Sequence, residues 1–345
     1  MTRAFRACLL AGLIISGSAA MSETKIDVLD FNDLNGWAED DHAAALRVFR
    51  NTCTDLKAPD WASLCAVAQT QAKGREFFEL FFRPVLIKDG EPALFTGYFE
   101  PEMQGSLTRT ERFRHPVYAM PSEAREAKIW KSRREIVETG VMEGRNLEIA
   151  WVDDPVELFF LQIQGSGRIR LRDGSLLRVG YAGSNGHQYR SIGMELIRRG
   201  IYDRHQVSAQ VIRNWVSRNP DTGRELLNHN PSYVFFRRIG EVSPDKGPLG
   251  AMNRSITQGR SVAVDPEFTP LGAPVWIEKE GKSPLRRLMV AQDTGSAIKG
   301  AQRADIFYGT GDAAGRIAGK IKDGGRMVVL MPIQRAYASL YRGAR

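Results

Sequence analysis

Two aspartates, Asp293 and Asp305, are the first candidates for chemistry in this chain of 345 residues. They lie in "VAQDTGSAIKGAQRADIFYGTGDAAG", a stretch rich in Gly, Ala and Ser that contains no His or Cys. Asp305 is flanked by Ala304 and Ile306 and is followed by Phe307. A carboxyl group among apolar side chains resists ionisation, and a raised pKa is what a general acid needs near neutral pH. We therefore predict that Asp305 is a general acid and that Asp293 raises its pKa further or orients it.

A third aspartate, Asp265, lies in "VAVDPEFTPLG", just past a strand-like run. Aspartates at strand ends commonly bond nearby backbone groups and form turns, so we expect Asp265 to be structural. The sequence has no His-Glu-x-x-His, Gly-x-Ser-x-Gly or Cys-x-x-Cys motif. Its five histidines are scattered. Only His187, in "GSNGHQYRS", lies in a loop of interest, and we assign it no role. We expect neither a metal site nor a cofactor.

The segment "YGTGDAAG" has the glycine-rich look of a nucleotide-binding turn between a strand and a helix. Its spacing, however, is one residue off the dinucleotide fingerprint. The next strand-like run, "RMVVLMP", ends in Pro instead of an acidic residue that would hold a ribose. The surroundings that would support the motif are missing, so we predict no nucleotide-binding role.

Carbohydrate is a natural substrate for an aspartic acid of this kind. The segments "LFTGYFEP", "LQIQGSG", "YAGSNGHQY" and "NPSYVFF" combine amides, hydroxyls, glycines and aromatic residues. Amides and hydroxyls can hydrogen-bond to sugars, and we expect stacking faces from Tyr98, Tyr181, Tyr189 and Tyr233. Each segment alone is weak evidence, since strands and turns use the same residue types.

Charge points to an acidic partner rather than to nucleic acid. The net charge is +8, and it becomes +6 when Arg3 and Arg6 are removed with the first residues. This excess is spread along the chain, and no basic run is interleaved with aromatic residues as in a nucleic-acid groove. The densest basic stretch, "RIRLRDG", alternates Arg168, Arg170 and Arg172 with apolar residues. That period is typical of a strand with one solvated face.

The first twenty residues predict export. Arg3 and Arg6 precede the short apolar run "ACLLAGLIISGSAA", which ends in the small residues of a signal-peptidase site. The run is too short to span a membrane, and a buried N-terminal helix is the alternative. Cys8 is not preceded by the sequence of a lipoprotein cysteine. We therefore expect a signal peptide over 1–20 and a soluble, periplasmic protein that begins near Met21.

Cys53 and Cys65 are the only cysteines that remain after such cleavage. An oxidising compartment favours a disulfide between them. Two buried thiols on neighbouring helices are the alternative that the sequence leaves open.

Helices and strands are predicted in both halves of the chain. Helical spacing occurs in "DHAAALRVFRNTC", and again in "SLCAVAQTQAKGREFFELFFR", where we expect Pro84 to end the helix. Asp89-Gly90 predicts a turn between two strands, and Ser132 with Glu135 predicts a capping box. We predict that "ELFFLQIQGSGRIRLRDGSLLRVGYAG" is rich in strand, with a hairpin at Asp173-Gly174.

Further elements follow the same patterns. Helices are predicted in "SIGMELIRRG" and "VSAQVIRNWVSR", and a strand in "NPSYVFFRRIG". After residue 240 the short runs "RSVAVDP", "APVWIEKE", "RRLMVAQD", "ADIFYG" and "RMVVLMP" predict strands, with a short helix in "DAAGRIAGKIKDG". Several short strands with few helices favour a small barrel.

Six segments in order carry a family resemblance. "FTGYFEP", "QGSG", "YAGSNGHQYRSIG", "NPSYVFF", "VAVDPEFTPLG" and "AQDTGSAIKGAQRADIFYGTG" resemble the lytic murein transglycosylase A (MltA) family, from about Thr96 to Pro332. The last part, at about 260–332, resembles the 3D domain, which is named for its three aspartates. The N-terminal helices carry less of the resemblance.

The resemblance implies an α+β fold, mainly β with peripheral helices. Residues 21–103 and 240–345 would form a double-psi β-barrel domain, and residues 104–239 an inserted β-rich domain. A groove between the two domains would hold a glycan strand.

The resemblance also implies the reaction: cleavage of the β-1,4 bond between N-acetylmuramic acid and N-acetylglucosamine without water. The muramyl C6 hydroxyl attacks its own C1 and leaves a 1,6-anhydromuramyl end. The family's acid, which then acts as base, falls on Asp305, and its preceding aspartate falls on Asp293. We expect the glycan to be contacted by residues of the matching segments: Thr96, Tyr98, Gln164, Ser166, Tyr181, Asn185 and Lys299.

Two other functions stay open at this point. One is a hydrolytic glycosidase that uses Asp305 and Asp293 as a carboxylate pair. The other is a non-catalytic glycan-binding protein. Expected partners are peptidoglycan strands, with other cell-wall enzymes as further candidates, and we expect a monomer. The best-known family members are outer-membrane lipoproteins, so association with that membrane is a second possibility for the location.

Overall fold

The structure is a computed structural model that describes residues 24–240, 242–243 and 245–342. The predicted signal peptide and Met21 lie outside the described residues. The strands are β1 (Lys25–Val28), β2 (Phe82–Lys88), β3 (Leu94–Glu100), β4 (Glu102–Ser106), β5 (His115–Tyr118), β6 (Glu148–Val152), β7 (Ser166–Arg170), β8 (Leu176–Ser184), β9 (Val234–Ile239), β10 (Ser261–Val264), β11 (Pro274–Lys279), β12 (Leu285–Asp293), β13 (Arg303–Thr310), β14 (Lys322–Asp323) and β15 (Gly325–Pro332).

Eleven α-helices accompany these strands in the described residues. They are α1 (His42–Thr52), α2 (Pro59–Thr70), α3 (Gly74–Phe81), α4 (Ser122–Glu126), α5 (Arg133–Thr139), α6 (Pro155–Gln164), α7 (Ile192–Arg198), α8 (Ala209–Arg218), α9 (Pro220–His229), α10 (Gly311–Ala318) and α11 (Ile333–Arg342).

Two sheets organise the molecule. A nine-stranded sheet has the order β1-β2-β15-β11-β12-β10-β13-β3-β14, so it combines strands from both ends of the chain. It mixes antiparallel pairs with the parallel pairs β10–β12 and β13–β3. A six-stranded sheet has the order β5-β6-β4-β7-β8-β9. The expected α+β fold, with one β-rich part inserted in another, is confirmed, while the domain boundaries stay a prediction.

Neither sheet closes into the expected barrel, since neither is a ring of fully paired strands in the described part of the chain. The larger sheet begins at β1 and ends at β14. The smaller sheet brings its two edges together at a single bridge between Ala119, just past β5, and Phe236 of β9. We call this place the seam. The edges of the sheet approach each other there without forming a ladder of backbone hydrogen bonds.

The largest apolar core lies between the N-terminal helices and the nine-stranded sheet. Aromatic rings dominate it, with Phe49 in contact with Trp61 and with the rings of α3. Cys53 and Cys65 form a disulfide beside this core, with their Cα atoms 5.2 Å apart. The predicted disulfide is confirmed. It links the region just after α1 to α2, and both cysteines are buried.

Several local predictions are confirmed. The capping box of Ser132 and Glu135 begins α5. Asp173-Gly174 joins β7 and β8 in an antiparallel hairpin. Gly90, with a φ of 89°, turns the chain between β2 and β3. These signals succeed because each depends on contacts within a few residues.

Three predictions of local structure are wrong. Pro84 does not end a helix: α2 and α3 are separate, α3 ends at Phe81, and Pro84 lies inside β2. The segment "ELFFLQIQ" is helix α6 and not strand, because Asp154 caps it, Pro155 occupies its first turn and Gly165 ends it. Arg168 is not on a solvated face: it is buried and bonds Glu100 over 2.7 Å.

Candidate active site

The candidate acids lie in one row across the nine-stranded sheet. Asp305 of β13 is opposite Ala263 of β10 on one side and opposite Thr96 of β3 on the other. Ala263 is in turn opposite Asp293 of β12. Laterally paired residues project from the same face of a sheet, so Asp293, Asp305 and Thr96 share a face. Two strand spacings, roughly 10 Å, separate the backbones of the two aspartates.

A β-bulge brings Asp293 into this row. Val262 lies opposite Ala291, but the next residue, Ala263, lies opposite Asp293, so Gln292 is the extra residue of β12. Without the bulge, Ala263 would face Gln292 and the side chain of Asp293 would project from the other face. Gln292 is instead completely buried and accepts a hydrogen bond from Ser261.

Asp305 is held by a short hydrogen-bond chain. Arg303 donates from Nη2 to Thr96 Oγ1 over 2.9 Å, and Thr96 Oγ1 is 2.6 Å from Asp305 Oδ1. A guanidinium group only donates, so the Thr96 hydroxyl accepts from Arg303 and donates its own proton to Asp305. Asp305 Oδ2 has no hydrogen-bond partner among the described residues, which leaves this oxygen to carry and transfer a proton.

Burial raises the pKa of Asp305 to about 6, from an ordinary value of 3.8. The hydrogen bond from Thr96 and the charge of Arg303 oppose this rise, and the charge of Asp293 adds to it. The predicted direction is therefore confirmed. We expected Ala304 and Ile306 to surround the Asp305 carboxyl group and raise its pKa, but both point to the opposite face of β13. Phe307, two residues on from Asp305, shares its face.

Asp293 is fixed by three donors. Tyr98 donates its hydroxyl proton to Oδ2 over 2.9 Å, and the amides of Ala251 and Thr294 each donate to Oδ1 over 2.9 Å. Burial raises the pKa of Asp293, while these three hydrogen bonds lower it. Burial, followed by the charge of Asp293, raises the pKa of Tyr98 well above its usual value, so Tyr98 remains a donor at neutral pH.

Strand β3 therefore supports both aspartates. Thr96 and Tyr98 are two residues apart and project from the same face, where one bonds Asp305 and the other bonds Asp293. The Tyr98 ring packs on Phe307, with centroids 5.3 Å apart. Gly97, between them, faces α10, where an added Cβ would lie 2.8 Å from the Cα of Ala318. Tyr98 thus has partners inside the protein for both its hydroxyl and its ring, and its contact with the glycan stays a prediction.

A cleft of about 590 Å³ lies between the two sheets, and Asp293 is the member of this row that lines it. Predicted residues from both sides line it: Gln164, Ser166, Tyr181, Asp293 and Lys299. Gln164 Oε1 accepts a 3.1 Å hydrogen bond from the amide of Phe99, which ties the end of α6 to β3. Gly165 has a φ of 75°, which turns the chain sharply from α6 into β7. Tyr181 is 55% exposed and offers a ring face to a ligand.

Two residues predicted to contact the glycan have structural surroundings instead. Asn185 is only 1% exposed, and its amide nitrogen donates to the carbonyls of Lys131 and Pro231, each over 2.8 Å. Asn185 Oδ1 also accepts from the amide of Tyr233, which is itself buried. Neither side chain presents a free group to a ligand. Tyr189 is 40% exposed but lies outside the lining of the cleft.

Asp265 behaves as the structural residue that we predict. It is buried and accepts a 2.9 Å hydrogen bond from the amide of Gly300. Its other oxygen lies 3.3 Å from Lys299 Nζ. The lysine side chain is 60% exposed and reaches the cleft. Asp265 thus positions the loop that carries Lys299.

Two arginines of the candidate site, Arg303 and Arg237, were not predicted from the sequence. Arg303 lies two residues before Asp305 on the same face of β13, and that spacing of two was a usable signal. Arg237 lines the cleft from β9 and donates to Asn253 Oδ1 over 3.1 Å. His187 also lines the cleft, where its Nε2 is 2.8 Å from the carbonyl of Trp130.

In the described ranges, no group of three or more His, Cys, Asp or Glu side chains is arranged to hold a metal ion. No helix in the same part of the chain combines the length and the apolar character that crossing a membrane requires.

Known families match two parts of the chain. Residues 94–237 match the MltA specific insert domain, and residues 260–331 match the 3D domain. The motif-based resemblance is thereby confirmed. Most of the residues described above, including Thr96, Asp293 and Asp305, lie within these two matches.

Characterised relatives are similar over much of the chain. The membrane-bound lytic murein transglycosylase A of Escherichia coli K12 is 39% identical over 245 residues, which cover 68% of this chain and 65% of that protein. The protein of the same name from Vibrio cholerae is 35% identical over 245 residues, covering 68% and 64%. The chain thus matches just under two thirds of the length of these relatives.

Solved structures agree over a larger share. A crystal structure of MltA from Neisseria gonorrhoeae is 32% identical with a TM-score of 0.79, over 90% of this chain and 93% of that one. A membrane-bound lytic murein transglycosylase from Agrobacterium tumefaciens is 31% identical with a TM-score of 0.79, over 92% and 99%. E. coli MltA with bound chitohexaose is 29% identical with a TM-score of 0.71, over 85% and 90%.

Proposed function

Because this chain belongs to the MltA family, we propose that it is a peptidoglycan lytic transglycosylase. It would cleave the β-1,4 bond between N-acetylmuramic acid and N-acetylglucosamine and leave a 1,6-anhydromuramyl end. One observation carries the proposal: a single carboxyl group with a pKa near 6, Asp305, lies on a face shared with the oriented Asp293, and Asp293 lines a cleft between the two sheets. The chitohexaose bound by the E. coli relative supports a sugar strand as the ligand.

Asp305 begins the reaction protonated. It donates its proton to the glycosidic oxygen as the bond from that oxygen to the muramyl C1 breaks. The C6 hydroxyl of the same muramyl residue attacks C1, and the Asp305 carboxylate takes the proton of that hydroxyl. The acid is thereby restored, no water is consumed, and the products are an anhydromuramyl end and a free hydroxyl on N-acetylglucosamine.

One carboxyl group suffices for this reaction. Ordinary glycosidases use two, one as acid and one as base or nucleophile. Here the nucleophile is part of the substrate and already lies near the reacting carbon, so the high effective concentration of an intramolecular reaction replaces the second side chain. The hydrogen bond from Thr96 to Oδ1 leaves Oδ2 of Asp305 available for both proton transfers.

Asp293 is a positioning residue in this proposal. Its carboxylate is occupied by Tyr98 and by two backbone amides. The contact with Asp293 fixes the Tyr98 hydroxyl, and the negative charge of Asp293 helps to keep Asp305 protonated. An orienting role explains the three donors better than a role as a free base does.

Hydrolysis by Asp305 and Asp293 is the second candidate. Two strand spacings between their backbones, roughly 10 Å, are compatible with the wider carboxylate separation of inverting glycosidases, about 6.5–9.5 Å. The products distinguish the two reactions, because hydrolysis adds one water to the muramyl end and transglycosylation adds none. A protein that only binds glycan would release neither product.

Mass spectrometry of the products from purified sacculi tests the proposal. Wild-type protein should release anhydromuropeptides, each one water lighter than its hydrolysed counterpart. Asp312→Asn is a matched control, since Asp312 is an exposed aspartate in the same stretch of sequence, and it should keep wild-type activity. Hydrated muropeptides would favour the glycosidase, and binding without any release would favour the non-catalytic protein.

Export to the periplasm is part of the proposal, because that compartment holds the substrate. The signal at 1–20 and the Cys53–Cys65 disulfide support it. The relatives are named membrane-bound, whereas Cys8 lacks the sequence of a lipoprotein cysteine. N-terminal sequencing of the expressed protein should find a start near Met21 in the soluble periplasmic fraction. Acylated protein in the membrane fraction would contradict it.

A further inference from the structure

A second groove adjoins the cleft at the seam of the six-stranded sheet. This seam groove has a volume of about 720 Å³ and lies between the end of β5 with α4, the start of β6, and strands β8 and β9. We infer that the seam groove binds the acidic peptide substituents that glycan strands carry in peptidoglycan. The inference rests on the proposed function, since it assumes that the cleft holds such a strand.

The charge of the seam groove fits such a ligand. Arg125, Arg237 and Arg238 line it, against a single acidic residue, Glu148. All three arginines are exposed, although Arg238 also donates to the carbonyl of Ile149 over 2.9 Å. Guanidinium groups bind carboxylates with paired hydrogen bonds. The free carboxylates of a peptide stem therefore meet an excess of positive charge here.

The backbone of the seam groove fits an extended peptide. Strand β9 pairs with β8 alone in the described residues, apart from the bridge between Phe236 and Ala119. An edge strand presents unpaired N–H and C=O groups, and extended peptides commonly bind by pairing with such an edge.

The seam groove is continuous with the cleft. Tyr181 and Arg237 line both of them. Tyr181 lies on β8 opposite Phe236, and Arg237 follows on β9 opposite Gly180. A glycan strand bound in the cleft could therefore extend its peptide substituents over Tyr181 into the seam groove along the protein surface.

The test compares the binding of two glycan strands that have the same sugars. One carries peptide stems, and the other has been stripped of them by an amidase. Asp305→Asn serves as the background for binding, since it should not cleave either strand. The informative variant adds Arg125→Glu, because Arg125 lines the seam groove only, and the control adds Arg172→Glu, an exposed arginine that lines neither groove nor cleft.

Arg125→Glu should weaken binding of the stem-bearing strand by about 5- to 20-fold, since it replaces an attraction with a repulsion at an exposed site. Affinity for the stripped strand should change by less than about twofold. The difference should shrink as salt is raised, because exposed charges are screened. Arg172→Glu should leave both affinities at their starting values.

An equal change for both strands, or none for either, would overturn the inference. The equal change would show that sugar rather than peptide occupies the seam groove. The outcome is separable from the proposed function. A wild-type protein that binds stems selectively but makes no anhydro product would refute the function alone, and a protein that binds neither strand would refute both.

Discussion

Thr96 and Asp305 lie opposite each other on the parallel strands β3 and β13, and the Thr96 hydroxyl donates to the Asp305 carboxylate over 2.6 Å. The two residues are 209 positions apart in the chain. They meet because β3, from the N-terminal part, adds to a sheet that the C-terminal strands build.

Thr96→Val should lower kcat/KM by roughly 10- to 100-fold, since a misplaced catalytic group loses about that much. Valine keeps the shape of threonine but cannot bond Asp305, so Oδ2 loses its fixed direction. The variant should fold normally. Release of anhydromuropeptides at pH 5 measures the effect. Thr70→Val, at an exposed threonine of α2, is the control, and equal activity of the two variants would refute the orienting role of Thr96.

Activity of the wild-type protein should fall as the pH rises above about 6, because the general acid must start protonated and the pKa of Asp305 is raised to about 6. This fall is the high-pH limb of the kcat/KM profile. Arg303 lowers the pKa of Asp305, so Arg303→Gln should move the limb to higher pH. Arg303→Lys restores the charge and should return the limb part of the way.

The control for this profile is Arg316→Gln, at an exposed arginine of α10, which should leave the limb in place. A limb that Arg303→Gln does not move would show that another group titrates there. Thermal unfolding of each variant separates this effect from a loss of stability, since Arg303 also bonds the carbonyls of Leu94 and Ala304.

Asp305→Asn should stabilise the protein at pH 7 by about 1–3 kcal/mol. The folded-state pKa of Asp305 is raised from 3.8 to about 6, so the native protein binds more protons than the unfolded chain between these values. The stability that protonated Asp305 contributes is present below pH 4 and is lost as the pH rises through 6. Urea unfolding at pH 4 and pH 7 should show the gain only at pH 7, and a gain of the same size at both would contradict the raised pKa.

Replacing Cys53 and Cys65 by serine should lower the free energy of unfolding by about 3 kcal/mol, as the chain-entropy model gives for a loop of this size. The disulfide joins the N-terminal helices and does not contact the row of Asp305. Activity at 25 °C should therefore be unchanged. Urea unfolding measures the first effect, and two free thiols in denatured, unreduced wild-type protein would contradict the disulfide itself.

Local signals in the sequence were sufficient for much of the fold. The capping box at Ser132 and the hairpin at Asp173-Gly174 depend on contacts within a few residues, and both are confirmed. Helix α6 also has such signals, Asp154, Pro155 and Gly165, but its apolar run taken alone predicts a strand. Short apolar runs do not distinguish the two without their flanking residues.

Contacts between residues far apart in the chain could not be predicted from such local signals. Alternation predicted a solvated Arg168, because the sequence does not show that Glu100, 68 residues earlier, pairs with it. The amide of Asn185 looked like a sugar contact but bonds the backbone of two distant loops.

The candidate site, too, could be predicted only in part from the sequence. Asp305 and Asp293 were identified from their segments, but the bulge at Gln292 that aligns them appears only in the pairing of β10 with β12. The pKa of Asp305 was predicted in the right direction from its apolar neighbours, although two of them point away from it. Burial within the assembled sheet is the actual cause.

In the proposed mechanism, Asp305 performs both proton transfers and Asp293 positions it. The most direct test is the rate of anhydromuropeptide release by purified Asp305→Asn, Asp293→Asn and Asp265→Asn, with folding checked by circular dichroism. Asp305→Asn should lose activity by about 10⁴-fold, the upper end for general acid–base catalysis, and should still bind glycan. Asp293→Asn should lose less, and Asp265→Asn should mainly lose stability. A folded Asp305→Asn protein with activity within a few-fold of wild type would contradict the mechanism.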